Sequence, residues 1–103
     1  MGERFDWDSH KELINVKKHR IDFVTATGMW SGVHIKMETH PGNDKSRWLV
    51  IGEISGWAWT AVITYRDGAV RIISVRRARD YERRALYEYK RSQEGERGHG
   101  GGD

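Results

Sequence analysis

The sequence predicts an α+β domain: two N-terminal helices, a four-stranded antiparallel sheet and a C-terminal helix. Three observations carry this. Between Val33 and Arg76, β-branched and aromatic residues run in short stretches broken by turn signals, two of them very short, which is the mark of a meander. On either side, apolar residues recur at spacings of three and four, the helical repeat. The 103 residues include no cysteine, so a single hydrophobic core, not disulfides, must hold one domain together. Five Trp, four Tyr and two Phe bring large buried areas to that core.

The first helix follows Phe5-Asp6-Trp7-Asp8. Asp8 or Ser9 caps it, and Ser9 with Glu12 fits the S-x-x-E capping box. It runs to about Lys18 or His19, with Leu13, Ile14 and Val16 expected inward and Lys11, Asn15 and Lys18 on another face. Lys17-Lys18-His19-Arg20 suits the negative end of the helix dipole. Asp22 caps a second, short helix through Phe23, Ala26 and Met29 or Trp30, weakened by Gly28.

Four strands come next. Val33 to Glu38 alternates, and the loop 39–46 holds the single Pro with Gly, Asn and Asp. Arg47 to Ile54 shows little alternation, as a central strand buried on both sides would. Ser55-Gly56 and Arg66-Asp67-Gly68 are tight turns on either side of the strand from Trp57 to Tyr65. Val70 to Arg76 is the fourth strand. A last helix runs from about Arg79 or Asp80 to Arg91, with a stripe at Tyr81, Ala85 and Tyr89. The domain is therefore expected over 1–91. Residues 92–103 are Gly-rich without an apolar side chain, and are expected as a disordered tail. All three helices are expected on one face of the sheet, leaving the other face open beside the arginines.

Net charge is +3, and it is unevenly placed. Residues 1–70 carry nine Lys/Arg and nine Asp/Glu, whereas 71–103 carry nine and six. The excess sits where the fourth strand meets the last helix, at Arg76-Arg77-Ala78-Arg79. Guanidinium groups on a rigid strand bind phosphate oxygens in pairs. An acidic partner, nucleic acid or protein, follows; a solvated helix with Arg/Glu pairs four apart is the plainer reading. No apolar run reaches membrane-spanning length, and the N-terminal M-G-E-R-F-D-W-D lacks a signal peptide's apolar stretch, so a cytoplasmic protein is expected. P-loop, dinucleotide and H-E-x-x-H motifs are missing. The five His, which include His34 and His40 flanking a loop with Glu38 and Asp44, show no metal-ligand spacing. No metal or cofactor is expected.

Several pieces together resemble the BrnT family, toxins of type II toxin–antitoxin systems. They are Phe5-x-Trp7-Asp8, Lys11, Asn15-x-x-Lys18-His19-x-Ile21-x-Phe23, Arg47, Ile51-Gly52, the run Arg71 to Ala78, Glu82-Arg83 and Tyr87. The resemblance covers about residues 5–90 in order. It implies a fold like the RelE ribonucleases and an enzyme that cuts RNA to arrest translation. It also implies a BrnA-like antitoxin whose ribbon-helix-helix domain takes the complex to operator DNA. One departure stands out: family members commonly carry a basic residue after the glycine that opens the third strand, and here Gly56 precedes Trp57.

Metal-free RNA cleavage needs a base for the ribose 2′-OH, cations for the phosphorane and an acid for the 5′-oxygen. By strand parity Arg71 and Arg77 share a face and Arg76 points away, so Arg71 and Arg77 are the expected charge-stabilising pair. Glu82, His19 and Tyr87 are candidates for base or acid, imidazole being suited to proton transfer near neutral pH. Each has a plainer use: Glu82 can pair with Arg79 or Arg83, and His19 can cap a helix carbonyl. Arg47, Arg76, Lys18, Arg83 and Tyr87 are expected to hold RNA. Two other readings remain open from sequence, a non-catalytic nucleic-acid-binding module and a degenerate toxin that only binds its antitoxin.

Overall fold

The computed structural model describes residues 3–39 and 46–102, with side chains as far as residue 94. The elements are β1 (Phe5–Trp7), α1 (Ser9–His19), α2 (Phe23–Ala26) with a 3₁₀ turn (Thr27–Ser31), β2 (His34–Glu38), β3 (Trp48–Ile54), β4 (Trp57–Arg66), β5 (Ala69–Arg77) and α3 (Asp80–Gly102). The expected meander of β2 to β5 is present and antiparallel. Both hairpin turns have their two central residues at positive φ, Ser55 and Gly56 in one, Asp67 and Gly68 in the other, the geometry that matches strand twist.

The sheet nevertheless differs from the expectation. It has five strands in the order β1-β5-β4-β3-β2 and is mixed, because β1 pairs parallel to β5. Phe5-Asp6-Trp7 is too short to announce itself as a strand; its partner lies 65 residues away, at Arg71 opposite Asp6. The helices also cover both faces. Phe23, Ala26 and Met29 pack with Val50, Ala61, Ile63, Val70, Ile72 and Val75. On the other side Leu86 of α3 packs with Leu49, Ile51 and Ala58. Adjacent β3 residues thus serve opposite layers, which explains why this strand reads as a continuous apolar run. The arginine-bearing open face does not exist.

Two helices present faces other than those expected. In α1 the buried residue is Asn15, while Leu13, Ile14 and Val16 are exposed. Asn15 donates to Ile21 O and accepts from Val75 N. β1 covers the edge of β5 at Val70 to Ile72; beyond it, Asn15 supplies the partner that an unpaired strand N–H requires. Asp8 is the N-cap, accepting from His10 N and Lys11 N. Glu12 does not close the capping box but accepts from Phe23 N, tying α1 to α2. In α3 the inward residues are Glu82 and Leu86, four apart, and the Tyr81 and Tyr89 stripe is exposed. This helix continues to Gly102, past the expected end at Arg91 and through the segment expected as a disordered tail.

Among the described glycines, Gly52 is the one where an added Cβ would crowd its neighbours. A Cβ there would lie 3.0 Å from Met29 Cβ and 3.3 Å from His34 Cβ. The 3₁₀ turn can settle on β3 because that position is bare.

Candidate active site: a cleft across the end of the sheet

The arginines of β5 part company at a bulge. Ile63 pairs with Ile72 and Val62 with Ser74, so Ile73 is an extra residue on β5. An extra residue inverts the side-chain alternation beyond it. Val70, Ile72 and Val75 accordingly share one layer, and Arg77 follows Val75. The parity that joined Arg71 to Arg77 is therefore broken: Arg71 shares its face with Arg76. Six residues of strand at ~3.3 Å each also separate Arg71 from Arg77 by roughly 20 Å.

Arg71 donates to Asp6 Oδ2 at 2.6 Å, across the β1–β5 pair. Arg76 forms a two-pronged bond with Glu82, Nη1 to Oε1 and Nη2 to Oε2, both 2.8 Å. Glu82 is fully buried and accepts two further bonds, from Thr60 Oγ1 at 2.9 Å and Arg79 N at 2.8 Å. As the third residue of α3 it reaches back to the residue that caps the helix, half of a capping box. Burial pushes its carboxyl up, but the Arg76, Arg79 and Thr60 hydrogen bonds outweigh this and hold it down to about 2. The same hydrogen bond, opposed by burial, raises Arg76. Glu82 is therefore a saturated carboxylate fastening α3 to β4 and β5, not a group with room for a substrate proton.

Arg77 has a different setting. Its guanidinium lies over the Trp57 ring, 4.1 Å from the centroid, and near Trp59 at 5.1 Å. Trp59 is its register partner in the ladder. Arg77 forms no ion pair with any described residue, unlike Arg71, Arg76 and Arg83. It lines a cleft of about 260 Å³ with Gly56, Trp57, Ala58, Ala78, Arg83 and Tyr87. Arg83 is held by Asp80 at 2.6 Å and stays half-exposed. The Tyr87 hydroxyl donates to Glu53 Oε2 at 3.3 Å, and Lys90 donates to the other oxygen of Glu53. Lys90 is raised, chiefly by that bond. Two guanidiniums, a phenol and an exposed indole thus meet at one corner, a set suited to a phosphodiester and a base.

Of the residues singled out from sequence, the structure brings Arg77, Arg83 and Tyr87 together. Arg71 and Arg47 lie toward the opposite end, where Trp48, Ile63 and Ile72 pair in register. Lys18 is exposed on α1, and His19 is half-buried in its last turn, four residues after Asn15. Trp59 and Glu53 were not anticipated, and Trp57 only as a departure from the family pattern. The W-x-W spacing puts both indoles on one face of β4, a signal present in the sequence. Glu53 carried no such signal, since only α3 packing beside β3 brings Tyr87 to it. Among the described residues no three His, Cys, Asp or Glu side chains gather as a metal site; His40 and Asp44 lie outside them. No described helix is long and apolar enough to cross a membrane.

A family model described as the ribonuclease toxin BrnT of type II toxin–antitoxin systems matches residues 7–82. The chain belongs to the BrnT family. Among solved structures, the 1.1 Å crystal structure of the Brucella abortus ribonuclease toxin BrnT matches with a TM-score of 0.62 and 23% identity, covering 77% of this chain and all of that one. That likeness is one of fold. No curated protein matches the chain. Trp57 and Arg77 fall within the BrnT match, whereas Arg83 and Tyr87 lie just past it.

Proposed function

We propose that this BrnT-family chain is an endoribonuclease that cuts RNA without a metal ion, arrests translation, and is neutralised in the cytoplasm by a BrnA-like ribbon-helix-helix antitoxin that takes the complex to operator DNA. The observation that carries the reading is Arg77, seated on Trp57 and Trp59 with no carboxylate partner among the described residues, in a cleft with Arg83 and Tyr87. The ribose 2′-OH attacks the adjacent phosphorus and loses its proton. The P–O5′ bond breaks, the 5′-oxygen is protonated, and a 2′,3′-cyclic phosphate remains. Arg77 and Arg83 stabilise the extra negative charge of the phosphorane. Tyr87, its hydroxyl within reach of Glu53, is the proton donor to the 5′-oxygen; His19, the base candidate from the sequence, lies outside the cleft lining. Glu82 and Arg76 act one step removed, positioning α3 and the strand end. Arg71, Arg47 and Lys18 fall to peripheral RNA contacts at most.

Incubation of the purified protein with RNA in EDTA is the test. Cleavage should persist, and Arg77→Ala should lower its rate on the order of 10²–10³-fold, as loss of one preorganised charge donor does. Intact RNA with wild-type protein would sink the reading. The Trp57 departure favours one alternative, a non-catalytic RNA binder, which predicts RNA bound with steep salt dependence but uncut.

A further inference from the structure

Trp57 is 61% exposed, an unusual position for the largest apolar side chain. An indole has two faces, and the Arg77 guanidinium takes one, 4.1 Å from the ring centroid. That contact fixes the ring's orientation without covering it. The turn before it is open as well: a Cβ on Gly56 would meet nothing within 4 Å. The ring therefore stands at the mouth of the cleft, beside two guanidiniums, Arg77 and Arg83. Aromatic platforms flanked by cations hold single strands, because each base has a π-face and each phosphate a charge. Bases within a duplex are already stacked and offer no face to such a ring.

We propose that the free face of Trp57 is a nucleobase subsite, stacking one unpaired base of single-stranded RNA while Arg77 and Arg83 take the neighbouring phosphate. The inference rests on the RNA reading above but not on cleavage. The subsite is tolerant of base identity and selects for single strands.

The test uses a short 2′-O-methyl RNA of mixed sequence, which lacks the attacking hydroxyl and stays intact. Its affinity is measured by fluorescence anisotropy at several salt concentrations for wild type, Trp57→Ala, Trp57→Phe and Arg77→Ala. Trp57→Ala should weaken binding roughly tenfold or more, with the slope of log affinity against log salt unchanged, since no phosphate contact is lost. Trp57→Phe should restore most of the affinity. Arg77→Ala should reduce that slope by about 0.7. Wild-type affinity in Trp57→Ala overturns the proposal. So does a reduced slope in that variant, which would mean Trp57 acts only by holding Arg77. Should the wild type bind in this Trp57-dependent way and yet leave ordinary RNA uncut, the subsite stands and the ribonuclease reading falls.

Discussion

Arg76 and Arg77 are neighbours in sequence and opposites in use. Arg76 faces α3 and is neutralised by a buried carboxylate that also holds Thr60 and the start of the helix. Arg77 faces the other layer and rests on two indoles, which orient a guanidinium without cancelling its charge. Arg76, answered by a buried carboxylate, builds structure; Arg77, answered by aromatic rings, keeps a charge that the proposed function gives to a ligand. The contrast sets an arginine of the architecture beside the one proposed for the chemistry, across one peptide bond.

Breaking the architectural side should have the largest effect. Glu82→Gln leaves Arg76, whose side chain is 20% exposed, without its counter-charge, and should cost about 3–5 kcal/mol of stability in chemical denaturation. Acid should do the same gradually. Glu82 has a folded pKa below its ordinary value of 4.5, at about 2. Its contribution is therefore complete above pH 4.5 and lost as pH falls toward 2. The loss should be on the order of 3 kcal/mol, and Glu82→Gln should flatten that part of a stability–pH curve. Gly52→Ala drives a Cβ to 3.0 Å from Met29 and should cost about 1–3 kcal/mol by overpacking, read from the same denaturation midpoint. Smallest is Arg71→Ala. Its partner Asp6 is 43% exposed, so the melt should move by no more than about 1 kcal/mol.

Much of the fold was legible because its signals are local. Asp8 and Asp22 cap the helices where expected, the D-G turn closes its hairpin, and β3 reads as a two-sided strand. What escaped depends on distant partners. β1 exists through β5, and Asn15 points inward because Val75 N lacks a strand neighbour. The bulge at Ile73 defeated the parity argument that had paired Arg71 with Arg77. Glu82 was expected from sequence as a base or acid, but the sequence alone could not tell a proton carrier from an anchor; that depends on Thr60 and Arg76 arriving beside it.

The most direct measurement takes RNA cleavage and stability together in Arg77→Ala. Cleavage in EDTA should fall on the order of 10²–10³-fold, while the denaturation free energy moves by no more than about 1 kcal/mol. Undiminished cleavage, or a stability loss as large as that of Glu82→Gln, would contradict the division of labour between the two arginines.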